Sequence, residues 1–123
     1  MASTKVALAI AAHPDDIEFC MAGTLLQLGQ RGWELHYLNL ASGNCGSARL
    51  NAEQTRRTRR REAQSAAKVL GACYHPSFVD DLEIFYCDAT LRRLSAIVRE
   101  IRPAIILTHS PQDYMEDHMT TSR

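Results

Sequence analysis

The feature that most constrains this chain is an apolar run that ends abruptly in charge. Residues 6–12 (VALAIAA) carry no polar side chain, and His13-Pro14-Asp15-Asp16 follows at once. A half-exposed strand alternates apolar and polar positions, whereas a strand buried on both faces does not, so residues 6–12 read as a parallel strand inside an α/β sheet. Pro14 closes the strand. Beyond it Ile17, Met21, Leu25 and Leu28 recur at helical spacing, which predicts a helix over 17–31 with Gly32 as its stop. The charged turn therefore sits at the carboxyl end of a strand, the edge of an open α/β sheet where ligands bind and helix N-termini point.

His13 and Asp16 are three residues apart across a proline-fixed turn, so one imidazole and one carboxylate can converge on a single ion. Such a pair suits zinc and tolerates other divalent transition metals, Fe2+ among them. Asp15, pointing elsewhere, would be free to act as a base. The competing reading is structural: Pro14 ends the strand, Asp15 or Asp16 caps the helix, and His13 is a satisfied polar residue.

The same strand-then-helix grammar recurs along the chain. A second strand is expected over 34–41, opening into the small-residue loop Ser42-Gly43-Asn44-Cys45-Gly46-Ser47, read as an exposed, flexible rim over a pocket. Its glycines lack dinucleotide or P-loop spacing, and no lysine-serine pair follows, so nucleotide binding is set aside. Cys45 is either a nucleophile or an ordinary thiol, and no histidine adjacent in sequence supports the former. A second helix starts at Asn51, with Gln54 placed for a capping box, and ends before Gly71. Its buried stripe is Ala63, Ala66, Ala67 and Leu70. One turn back along that stripe lies Arg59, which should point inward, while Arg57, Arg60 and Arg61 fall on solvated faces; an inward guanidinium needs a carboxylate or a bound anion.

Residues 73–79 are expected to form a short strand before Asp80-Asp81. A third helix with Asp88 as N-cap should bury Leu91, Leu94, Val98 and Ile101 and stop at Pro103. Residues 104–108 (AIILT) repeat the buried-strand pattern and release the richest polar stretch in the chain, residues 109–118. In a doubly wound sheet this strand is the expected neighbour of the first, so the two histidine-aspartate turns would face one another across the crevice. A histidine from the second turn would then join His13 and Asp16 as third ligand, leaving one position open for water, the arrangement of a catalytic zinc site. His109 and His118 both qualify.

Composition narrows the class further. With 123 residues, the chain is expected to be one domain over 1–123. Fourteen basic residues balance fourteen acidic ones, which argues against a nucleic-acid partner despite the local Arg56 to Arg61 run. Cys20, Cys45, Cys73 and Cys87 form no CxxC pair, no secretory signal precedes them, and no apolar stretch reaches the length of a membrane helix. A cytoplasmic protein without a membrane span is the expectation.

Taken together, Ala12-His13-Pro14-Asp15-Asp16 followed by Glu18, Arg59-Arg60-Arg61-Glu62-Ala63 leading to Leu70-Gly71, and Asp113-Tyr114-Met115-Glu116-Asp117-His118 resemble the LmbE-like or PIG-L-type zinc-dependent deacetylases. The resemblance implies a Rossmann-like three-layer sandwich with a mostly parallel sheet. It also implies Zn2+ held by His13, Asp16 and His118, Asp15 as general base, Arg59 as the active-site arginine, and a small acetylated amino sugar as substrate; it leaves room for a homo-oligomer. Two departures accompany it. Met115 stands where many members have a histidine, and members usually continue with further strands, so a truncated chain is the expectation. A truncated relative that binds metal without turning substrate over is the alternative reading.

Overall fold

A computed structural model describes residues 5–123. Its elements alternate strictly: β1 (Val6–Ala11), α1 (Asp16–Gln30), β2 (Glu34–Asn39), α2 (Ala52–Leu70), β3 (Ala72–His75), α3 (Asp88–Ile101), β4 (Ile105–Leu107) and α4 (Glu116–Ser122). The four strands form one parallel sheet in the order β3-β2-β1-β4. The first and fourth β-units are thus neighbours, as the switch-point argument requires, and both release their turns at the same edge.

The sheet divides the core into two layers. On one face Ala7, Ala9, Ala11, Leu35 and Tyr37 pack against Ile17, Met21 and Leu25 of α1 and Ala63 and Ala67 of α2. Small residues on β1 let the helices approach closely, and Tyr37, wholly buried, satisfies its hydroxyl by donating to Glu18 Oε1 at 2.6 Å. On the other face Leu8, Ile10, Leu38 and Leu40 meet Leu94, Ile97, Val98 and Ile101 of α3. This is the expected three-layer α/β arrangement.

The differences from the sequence reading cluster on that second face. None of the α3 residues is buried, and Leu91 is exposed where a core position was expected. Likewise β4 is three residues long with Ile106 at 45% exposure, so it is not a strand covered on both faces. Periodicity marks a face as apolar without saying what covers it. The N-cap of α3 is Cys87 rather than Asp88, and Pro76 ends β3 early, leaving only an Ala41–Val79 bridge beyond it. At α2 the expectation holds in detail: Asn51 and Gln54 form a reciprocal capping box, and Gly71 closes the helix at φ 70°. Among the described residues no helix is long and apolar enough to cross a membrane.

Candidate metal centre

The turn after β1 is built against its own backbone preference. Asp15 caps α1 with φ 83°, a left-handed conformation in which a non-glycine residue costs on the order of 1 kcal/mol or more. Its carboxylate makes no cap hydrogen bond; instead Oδ2 accepts from Arg59 Nη1 at 2.8 Å, while Arg59 Nη2 donates to the Pro14 carbonyl at 2.8 Å. Arg59 therefore points inward, as the α2 stripe predicts, and grips the turn. Arg57, Arg60 and Arg61 are exposed. Gly43 is what admits Arg59: a Cβ there would lie 3.1 Å from Arg59 Cγ and Nε and 3.2 Å from Pro14 Cδ, and its φ of 81° already favours glycine.

Facing this turn is the segment after β4. His13, Asp16 and His118 come together, with ligand atoms all within 4.8 Å of one another. Asp16 Oδ2 lies 3.3 Å from His13 Nδ1 and 3.1 Å from His118 Nε2. The opposite nitrogen of each ring is tied to a carboxylate: His13 Nε2 to Asp117 Oδ2 at 2.7 Å, and His118 Nδ1 to Asp113 Oδ1 at 3.0 Å. An ionised carboxylate only accepts, so both of those ring nitrogens carry the proton, and in the neutral rings the lone pairs of His13 Nδ1 and His118 Nε2 both face Asp16. The three ligand atoms thus turn toward a common space beside Asp16 Oδ2, which also accepts the His13 backbone N–H at 3.0 Å. The donor set of two imidazoles and one carboxylate, each imidazole steered by an outer carboxylate, fits a divalent transition metal such as zinc.

A proton on His13 can answer the same acceptors. Burial would lower the His13 imidazole, but hydrogen bonds to Asp16 and Asp117, with the charge of Asp81, hold it above its ordinary value. Burial would raise Asp16, yet bonds from the His13 ring and backbone and the nearby His118 keep it low. His109 behaves differently. Burial first, then His118, pushes it down. Its Nε2 accepts the Ala12 N–H at 3.0 Å, and its ring stacks on His118 with centroids 4.1 Å apart. That nitrogen is thus engaged by the backbone, while His109, Asp113 and His118 also bring ligand atoms within 4.8 Å of one another, so His118 belongs to both groups.

Sequence reasoning passed over several supporting groups. Asp113 and Asp117 stood in the second signature without a role, since spacing alone does not say which carboxylate of that acidic run turns inward. Asp117 also accepts the Leu82 N–H at 2.9 Å, fixing a residue with φ 65° beside the site. Asp81 accepts the N–H groups of Gly43 and Cys45 at 2.8 and 3.0 Å, and Asn44 Oδ1 accepts the Asp81 N–H at 2.9 Å. The 42–47 loop is thus pinned, and Gly43 and Asn44 are buried, contrary to the exposed, flexible rim expected. Together these segments line a cleft of about 550 Å³, with His13, Asp15, Asp16, Arg59 and His118 along its wall and Phe19, Leu82, Tyr114 and Met115 beside them.

The family model described as PIG-L, GlcNAc-PI de-N-acetylase, matches residues 8–123. The chain belongs to the PIG-L family. Within and around that family it is 33% identical over 122 residues to 4-oxalmesaconate hydratase of Pseudomonas putida, covering 93% of this chain and 47% of the relative. It is 28% identical over 117 residues to diacetylchitobiose deacetylase of Thermococcus kodakarensis, covering 93% and 44%. Among solved structures, the 4-carboxy-2-hydroxymuconate hydratase of Pseudomonas putida superposes with TM-score 0.89 at 28% identity, over 97% of this chain and 53% of that one. The N,N'-diacetylchitobiose deacetylase of Pyrococcus horikoshii gives 0.85 at 28% identity, over 97% and 47%. The chain spans about half the length of these relatives.

Proposed function

We propose that this chain carries the metal-binding half of an amide hydrolase that removes an acetyl group from an N-acetylated amino sugar. The observation that supports the reading is the convergence of His13 Nδ1, Asp16 Oδ2 and His118 Nε2, all within 4.8 Å of one another. Zinc held by these three residues would supply Lewis acidity, enough to make water ionise near neutral pH and to polarise an amide carbonyl. Asp15 lines the same cleft and accepts the proton of the attacking water, then returns it to the departing amine. Arg59 keeps Asp15 aimed: its Nη1 and Nη2 are both engaged by the turn, so its first task is positioning rather than direct contact with the carbonyl oxygen. His109, stacked on His118 and anchored by Ala12, sets the ring plane of that ligand.

The cleft's chemistry supports a neutral, partly apolar substrate. Phe19 and Tyr114 are 86% and 91% exposed at its mouth, surfaces suited to the apolar face of a sugar ring. Three carboxylates (Asp15, Asp16 and Asp81) and a single arginine line it, so even with a divalent ion the lining sums to about neutral. A dicarboxylate would find little attraction there. The test is acetate release from N-acetylglucosamine derivatives by zinc-loaded protein, with Asp15→Asn as the inactive control that keeps its metal. Release without dependence on Asp15 would remove the assigned base.

One observation favours a second reading, hydration of an activated carbon-carbon double bond: the 33% identity to a protein named as a hydratase. Both reactions begin with activated water. Disappearance of a conjugated enol-acid chromophore, with no acetate released from the sugar substrates, would select it. Zinc bound with neither activity would instead support the non-catalytic alternative.

A further inference from the structure

Away from the cleft, a second group of metal-ligating side chains lies within the sheet. We propose that His36, Cys73 and His75 form a separate zinc-type site on the β2–β3 edge. His36 and Cys73 are register partners on adjacent parallel strands, and His75 follows two residues after Cys73, so all three project from one sheet face. Their ligand atoms lie within 4.8 Å of one another. His36 is buried, His75 half-buried and Cys73 exposed, which gives a partly desolvated site with an open approach from solvent.

The ring orientations are already those of ligands. His36 Nε2 lies 2.8 Å from Glu34 Oε1, and because that carboxylate accepts, the proton sits on Nε2 and the Nδ1 lone pair is free. That lone pair points at His75 Nε2, 2.8 Å away, which in the metal-free protein donates to it. Glu34 thus plays for His36 the part that Asp117 plays for His13, a carboxylate fixing the tautomer from behind. Two nitrogens on one tetrahedral zinc stand roughly 3.3 Å apart, given bonds of about 2.0–2.1 Å. The rings need to part by only about half an ångström.

One thiolate and two imidazoles are a borderline-soft set, suited to zinc over magnesium or calcium. Binding releases the Cys73 thiol proton to solvent and moves the His75 proton from Nε2 to Nδ1, so both imidazoles remain neutral. The thiolate and the Glu34 carboxylate then balance the charge of the ion. Water completes the shell. Because it uses none of the cleft residues, this site stands or falls independently of the proposed hydrolase chemistry.

Cobalt(II) titration of chelator-stripped protein tests it, since a sulfur-to-cobalt charge-transfer band in the near ultraviolet requires a thiolate ligand and none belongs to the His13, Asp16 and His118 set. The band should appear, persist in Cys45→Ser, which alters the cleft cysteine, and vanish in Cys73→Ser. Glu34→Gln should keep the band with affinity weakened roughly tenfold. Without any substitution, zinc should slow alkylation of Cys73 while leaving Cys20 and Cys87 reactive as before. Absence of the band, its survival in Cys73→Ser, or equal alkylation of Cys73 with and without zinc would overturn the assignment.

Discussion

The two turns that meet in the cleft are held by very different supports. Residues 12–16 follow β1, whose positions 7–11 are all buried and which is paired on both sides. Residues 109–118 hang from β4, a short edge strand with one partner among the described residues and an exposed Ile106. The second turn takes its shape from the first: His109 is anchored by the Ala12 N–H, and Asp117 by the His13 ring. Such an arrangement places precision in the cross-links rather than in the weaker strand. A well-supported half can act as a template for the other.

The first turn should respond most strongly to substitution. Asp15→Asn should reduce turnover by about 10²–10⁴-fold, the usual weight of a general base, with metal content unchanged by elemental analysis. Next comes the cross-link. Asp117→Asn should weaken zinc binding by about 10–100-fold in a competition titration, through His13, although Asp117 belongs to the opposite turn. If Asp113→Asn had the larger effect, the cross-link would matter less than the local bond to His118.

Stability should divide along the same line. Leu25→Ala, in the fully buried layer beneath the first turn, should cost about 3 kcal/mol in denaturant unfolding. Ile106→Ala should cost under about 1 kcal/mol, because nearly half of that side chain is already in water. The smallest change is Met115→His. Met115 lines the cleft and its thioether transfers no proton, so a histidine there should raise turnover a few-fold in the acetate assay.

The first turn was also the more legible of the two in the sequence. An unbroken apolar strand, a proline and an amphipathic helix locate His13, Asp15 and Asp16 by local rules alone, and the α2 stripe gives the direction of Arg59. The adjacency of β1 and β4 follows from topology. What could not be read depends on contacts between distant segments. Asp117 reaching His13, Asp81 pinning the 42–47 loop and Asn44 turning inward are tertiary bonds with no periodic signature. The same holds for the half-covered face of α3, since a hydrophobic stripe announces a need for burial and not its fulfilment. His36, Cys73 and His75 have no signature in the sequence because strand register, rather than spacing along the chain, unites them.

The left-handed backbone at Asp15 has a practical corollary. Asparagine adopts that conformation more readily than most residues, its amide oxygen can still accept from Arg59, and Glu62 remains as a carboxylate partner at 3.3 Å, so the Asp15→Asn protein should melt within a few degrees of the parent. A catalyst silenced without loss of shape can hold its natural compound long enough to be crystallised or weighed by native mass spectrometry. The residue that most resists its own geometry thereby becomes the handle for identifying what the cleft receives.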